Sequence, residues 1–141
     1  MSLISTRSRY GLRLLVELAE RSASGPVDLK RIASSQEIPE PYLAKLVAPL
    51  KAAGLLRASR GAKGGYELAR RPEDIDLLTV VEALEGRSSL LECTAEPELC
   101  PRSGDCRTLP IWKGLDGAVK DYLRARSVAD AARSAAPDYA I

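Results

Sequence analysis

The sequence predicts a mainly α-helical chain with a small β wing: a winged helix–turn–helix followed by a long C-terminal helix. Three observations carry this. First, Leu43, Leu46, Val47 and Leu50 recur at steps of three and four, so they share one helical face, and Gly54 follows where such a helix stops in a left-handed residue. Second, Leu55 to Ser59 and Tyr66 to Leu68 read as two short strands around a basic, glycine-rich tip, Gly61-Ala62-Lys63-Gly64-Gly65. Third, Leu109 to Arg126 returns to helical spacing, with Ile111, Trp112, Leu115, Val119, Tyr122 and Leu123 as an apolar stripe.

The elements follow in order. Residues 5–22 predict a first helix whose inner stripe is Tyr10, Leu14, Leu15, Leu18 and Ala19. Arg7, Arg9 and Arg13 lie near its start, where cations oppose the helix dipole, so they point to a phosphate partner or a solvated face. Ser24-Gly25-Pro26 breaks the chain, and Asp28 is placed to cap a second helix, Leu29 to Ser35. Gln36 to Pro39 is a tight turn into the helix that begins near Glu40, and Pro41 sits in that helix's first turn, where its missing N–H costs little. Two helices joined this way form a helix–turn–helix. After the hairpin, Pro72 to Ile75 reads as one helical turn and Thr79 to Leu84 as a short helix stopped by Gly86. Residues 87–107 carry Pro97, Pro101 and Gly104 and predict an irregular loop. Ser127 to Ala136 is Ala-rich and reads as a tail. The expected segments are 1–86, the winged helix–turn–helix; 87–107, a cysteine loop; and 108–141, a long helix with its tail.

Composition narrows the function. The chain has 141 residues, 45% hydrophobic and 28% charged, as a single globular domain with an arm would. No apolar run approaches the roughly 18 residues of a membrane span. The first residues lack the apolar core of a secretory signal, so the expected location is the cytoplasm, with no membrane partner. Net charge is +2 but unevenly spread. Residues 1–71 hold 13 Lys or Arg against 6 Asp or Glu, and residues 72–141 hold 8 against 13, giving +7 and −5. A basic half that contains a winged-helix pattern predicts double-stranded DNA as the partner. There is no histidine, which removes Cys–His and Ser–His–Asp catalysis, and no Gly-Lys-Ser/Thr follows the glycines as a phosphate-binding loop requires. The chain is expected not to be an enzyme.

The expected DNA contacts are Tyr42 and Lys45 on the exposed face of the third helix, with Arg60, Lys63, Gly64 and Gly65 in the wing. Such a helix enters the major groove, and the hairpin reaches the adjacent groove or backbone. The C-terminal helix is longer than a compact N-terminal unit can cover, so it predicts a homodimer on a pseudo-palindromic operator.

Cys93, Cys100 and Cys106 are the only cysteines, separated by six and five residues. An odd number in a cytoplasmic-looking chain argues against a disulfide framework. The spacing lacks the close Cys pairs and fourth ligand of a zinc site. Three readings stay open from spacing alone: an iron–sulfur cluster, a redox-active thiol pair, or inert buried thiols.

Taken together, STRSRYGLRLL, PYLAKLVAPLKAAGLLRASRGAKGGYELAR, DLLTVVEALEG, the three cysteines and LPIWKGL resemble the IscR/NsrR/RirA-type family of bacterial winged helix–turn–helix transcription regulators, the Rrf-two family. The resemblance covers nearly the whole chain. It implies a homodimer, with Cys93, Cys100 and Cys106 as ligands of a 2Fe–2S or 4Fe–4S cluster that senses iron, nitric oxide or redox state. It also implies DNA contacts at Tyr42, Lys45, Arg60 and the Lys63 loop. Two features depart from the family. Relatives with a 2Fe–2S cluster often place a histidine after the third cysteine, where this chain has Arg107-Thr108-Leu109-Pro110. Others take a carboxylate from the first helix of the partner subunit, where this chain has Arg7-Ser8-Arg9 and offers none. The fourth ligand then falls to Asp105, Glu98, Glu96, water or a small thiol, which places 4Fe–4S ahead of 2Fe–2S. Some members carry no cluster, and thiol oxidation is the alternative control; a protein–protein module is the alternative for the fold.

Overall fold

The structure is a computed structural model and describes residues 4–134 apart from 63 and 88. Helix α1 (Thr6–Glu20) leads through a 3-10 turn at Ser22–Ser24 to α2 (Leu29–Gln36) and α3 (Glu40–Ala52). Strands β1 (Leu56–Ser59) and β2 (Gly65–Leu68) form the wing. A second 3-10 turn, Pro72–Asp74, precedes α4 (Leu77–Glu85). Then come α5 (Glu92–Ala95), a third 3-10 turn at Pro97–Leu99, α6 (Leu109–Arg124) and α7 (Val128–Arg133).

Local chemistry sets the boundaries. The Ser5 hydroxyl accepts from the Arg7 N–H and starts α1 one residue inside the expected edge. Asp28 caps α2 as expected, accepting from Lys30. Asp76 accepts from the Thr79 N–H, so α4 begins at Leu77 rather than Thr79. Helix α3 ends at Gly54, whose φ is +74°, as the glycine stop predicts.

The strands pair antiparallel, Leu56 opposite Leu68 and Ser59 opposite Gly65. Val27 exchanges both backbone hydrogen bonds with Tyr66, each 2.8 Å, so it adds a one-residue third rung. One core runs through the helix–turn–helix and the wing: Leu14, Leu15 and Leu18 of α1, Ile32, Ile38, Leu43, Leu46, Leu50, Leu55, Leu56, Ile75, Val80 and Leu84. Each such side chain contributes about 1.5–3 kcal/mol of burial.

Two expectations change. The cysteine segment is not wholly irregular, because Cys93 lies on the single turn of α5. Within the Ala-rich stretch after residue 126, Val128–Arg133 is a capped helix rather than a tail, and 135–141 lie outside the described residues. The Ser127 hydroxyl and the Asp130 carboxylate close a capping box, and Val128 and Ala129 are buried. Val128 joins the main core, and α7 packs on α1. Backbone bonds from Val128 to Ile75 and from Leu77 to Arg126 tie it down at 2.9 Å each. Among the described residues, no helix is long and apolar enough to cross a membrane.

Candidate nucleic-acid interface and cysteine segment

Helix α3 buries Leu43, Leu46, Val47 and Leu50 and exposes Pro41, Ala44, Lys45 and Lys51. Pro39 and Pro41 frame its first turn, and the helix passes through Pro49 without breaking. Lys45 stands on the exposed face as expected. Tyr42 does not: it is half-buried, its ring edge against Tyr10 at 5.6 Å between centroids and 81° between planes. A ring of that size in the first turn reaches back to α1 instead of standing free.

Arg60 is exposed at the end of β1, where the wing begins its turn. Among the described residues, no hydrogen bond or ion pair engages the side chain of Lys45 or Arg60. Gly61 has φ +109°, and the Gly64 N–H closes the turn onto the Gly61 carbonyl at 2.9 Å. A Cβ at Gly64 would overlap the Ser59 carbonyl, and one at Gly65 would overlap that of Val27. Both glycines are thus required for the wing itself, beside any contact with DNA. Lys63 lies outside the described residues. Across the hairpin, Arg57 of β1 is paired with Glu67 of β2 at 2.9 Å and steadies the two strands.

The first helix does more than its apolar stripe suggested. Arg9 bonds Thr6 at 3.0 Å. Arg13, though exposed, reaches the helix–turn–helix, donating from Nε to the Gln36 side chain at 3.0 Å and from its other arm to the Gln36 carbonyl. Ser5 and Ser8 grip Glu85 at the end of α4: the Ser5 N–H, the Ser5 hydroxyl and the Ser8 hydroxyl all donate to one carboxylate oxygen, at 2.9, 2.7 and 2.5 Å. Burial works to raise the Glu85 pKa, but these bonds outweigh it and hold the carboxyl below its ordinary value. The sequence alone does not reveal the partners of Arg13, Tyr10 and Glu85, because each pair is separated by more than twenty residues; the only local hint is the short spacing of Tyr10 and Arg13.

The cysteine segment is fastened to α6. The Leu90 N–H donates to Asp116 at 2.8 Å, and Lys120 pairs with Asp116 at 2.9 Å while reaching Ser89 at 3.3 Å. Asp116 is buried, and its hydrogen bonds from Leu90 and Lys120 outweigh the burial that would raise its pKa, so it stays ionised below the ordinary range. Cys93, Cys100 and Cys106 are half-buried and unbridged. The Cys106 sulfur lies 3.4 Å from the Thr108 hydroxyl at the start of α6. That hydroxyl, then the amides of Thr108 and Leu109, lowers the Cys106 thiol pKa.

Thiolate donors on a single segment suit an iron–sulfur cluster chemically. Their arrangement here does not: among the described residues, no group of three or more Cys, Asp or Glu side chains is gathered where it could hold a metal ion. The segment would have to close to bring the three sulfurs together. Beside it, Ile111, Trp112, Leu115 and Tyr122 of α6 are 40–62% exposed and Leu99 is 71% exposed, so the expected stripe forms an open apolar face. Val119 and Leu123 turn inward, toward Leu78 and Val81 of α4.

A capped helix pair, a two-stranded wing and an unpaired basic face define a winged helix–turn–helix protein. The family described as "Iron-dependent Transcriptional regulator", Rrf2, matches residues 4–134. The chain belongs to the Rrf2 family of DNA-binding transcription regulators. It is 41% identical to the Rrf2 protein of Nitratidesulfovibrio vulgaris, over 94% of this chain and 88% of that one. It is similar to the structure of CymR, the global cysteine regulator of B. subtilis, with a TM-score of 0.79 and 36% identity over 94% of this chain and 97% of that one. It is also similar to T. potens IscR, with a TM-score of 0.74 and 33% identity over 95% and 93%. These relatives are regulators and not enzymes.

Proposed function

We propose that this chain is a cytoplasmic, homodimeric regulator that binds a pseudo-palindromic operator and whose affinity for it is set by the state of Cys93, Cys100 and Cys106. The observation that carries this is the fastening of the cysteine segment to α6 through Asp116, because α6 also bears the open apolar face. A change at the cysteines is then felt where two copies would meet. Lys45 and the wing at Arg60, Lys63, Gly64 and Gly65 serve as the DNA contacts, and Tyr42 flanks them. Arg60→Ala should lower operator affinity and reduce the salt slope by about one, as removing a single cation from a phosphate does.

The finer reading is an iron–sulfur cluster on the three cysteines, 4Fe–4S ahead of 2Fe–2S, as in the sequence resemblance. When bound, such a group would supply a redox- and ligand-sensitive iron; this chain's part is to furnish the thiolates and fold around them. A second reading, thiol oxidation without a cluster, is favoured by three unbridged, half-buried thiols that form no metal-holding group among the described residues. Anaerobic reconstitution of the parent and of Cys93→Ala, Cys100→Ala and Cys106→Ala, with iron and sulfide counted, separates them. The cluster reading expects iron uptake that each variant loses and an operator affinity shifted about 5- to 150-fold by loading. A parent that takes up no iron but loses operator affinity with a mild oxidant belongs to the second reading.

A further inference from the structure

We propose that Arg13, acting with Tyr10, is a positioning residue that sets the angle of the DNA-reading helix. The inference rests on the reading of α3 as that helix. Arg13 and Tyr10 are three residues apart on α1, so they share a face. That face meets both sides of the helix–turn–helix joint. On one side, Gln36 is the last residue of α2, and its carbonyl faces no further turn of its own helix. The next residue, Glu37, is left-handed at φ +54°, the only non-glycine with positive φ among the described residues. Arg13 takes this orphaned carbonyl and the Gln36 side chain with two arms of one planar group. A cation at the end of α2 also suits the helix dipole.

On the other side, Tyr10 lies beneath the guanidinium, 5.4 Å from ring centroid to carbon, and meets the edge of Tyr42 in the first turn of α3. One guanidinium and two rings therefore span the joint from the end of α2 to the start of α3. The joint has no other side-chain hydrogen bond to α1 among the described residues. Arg13 is exposed, so the core does not depend on it. Its removal frees the joint, and the small rotation this permits moves base-reading side chains out of register while leaving phosphate attraction in place.

The test uses the full chain. An operator is selected with the parent, and affinity for it and for a scrambled duplex is then measured across a salt series for Arg13→Ala, Arg13→Lys and Tyr10→Leu, with thermal midpoints alongside. The expected result is a loss of about tenfold or more on the operator, the scale of one good base contact. Affinity for the scrambled duplex, salt slope and thermal midpoint stay near the parent for the two Arg13 variants. Arg13→Lys fails to rescue, because an ammonium keeps the charge but not the fork. Equal losses on both duplexes, a slope lower by about one, or full rescue by lysine would make Arg13 a phosphate contact and overturn the inference. Unchanged operator affinity would overturn it as well. A parent that selects no operator removes the underlying reading of α3 too, and shows itself before any variant is made.

Discussion

Gly65 shows how one missing side chain fixes the wing. Its backbone lies against the Val27 carbonyl, at the point where β2 meets the single rung contributed by Val27. Any Cβ there meets backbone, which cannot swing aside as a side-chain tip can. We predict that Gly65→Ala destabilises the fold by about 1–3 kcal/mol, the usual range for overpacking, and that urea midpoints will record it. Gly104→Ala, at a position open to solvent, should sit within about 0.5 kcal/mol of the parent. The wing was legible in the sequence because glycine chemistry is local: Gly54, Gly61, Gly64 and Gly65 mark the stop and the turn without help from distant residues. Tyr42 was not legible in the same way. Its place in the first turn was plain, but the ring that holds it belongs to another helix.

At the scale of elements, carboxylates pin both ends of the link from α4 to the cysteine segment. Glu85 is held by Ser5 and Ser8 of α1, and Asp116 of α6 holds Leu90. The link therefore reports to two helices at once. Asp116→Ala would leave the Leu90 N–H and the Lys120 ammonium without their partner. We predict a loss of about 1–3 kcal/mol, with faster hydrogen exchange at the Leu90 amide than at amides of α3. An unchanged exchange rate at Leu90 would argue against the clasp. The spacing of the three cysteines could be read from the chain, but their arrangement could not, because it depends on how the segment lies along α6. Helix α7 escaped sequence reading for a related reason. Its partner α1 is more than a hundred residues away, and a short Ala-rich run looks the same whether it frays or docks.

For the whole molecule, the open face of α6 is the proposed seat of association. A two-fold pairing would cover Ile111, Leu115 and Tyr122, which the monomer leaves in water. Leu115→Glu together with Ile111→Glu is expected to weaken association by roughly 2 kcal/mol or more, since charges would lie unpaired at the contact. Sedimentation at micromolar concentration checks this, and a parent already monomeric there would refute the dimer. Acid response is a second whole-molecule property. Glu85 and Asp116 both have folded pKa values held below the ordinary ones. The stability they add is therefore present above the ordinary carboxylate range and is lost as pH falls through the folded values, below about pH 4. Urea midpoints at pH 7 and pH 3.5 should differ less in a Glu85→Gln, Asp116→Ala double variant than in the parent.

The docking of α7 on α1 also governs the order in which the molecule can be finished. Helix α1 leaves the ribosome long before α7, yet the core it joins is not closed until Val128 arrives. Contacts so distant along the chain raise the contact order and slow folding relative to a helical unit closed by its neighbours. For most of its synthesis the nascent chain carries an incomplete core, open on the side that α7 later covers. A product that stops short of residue 127 keeps every residue of the helix–turn–helix and the wing and still lacks the piece that seals them. Such fragments are natural targets for proteolysis. The core is thus sealed only in chains translated to the end of α7, not in chains merely begun.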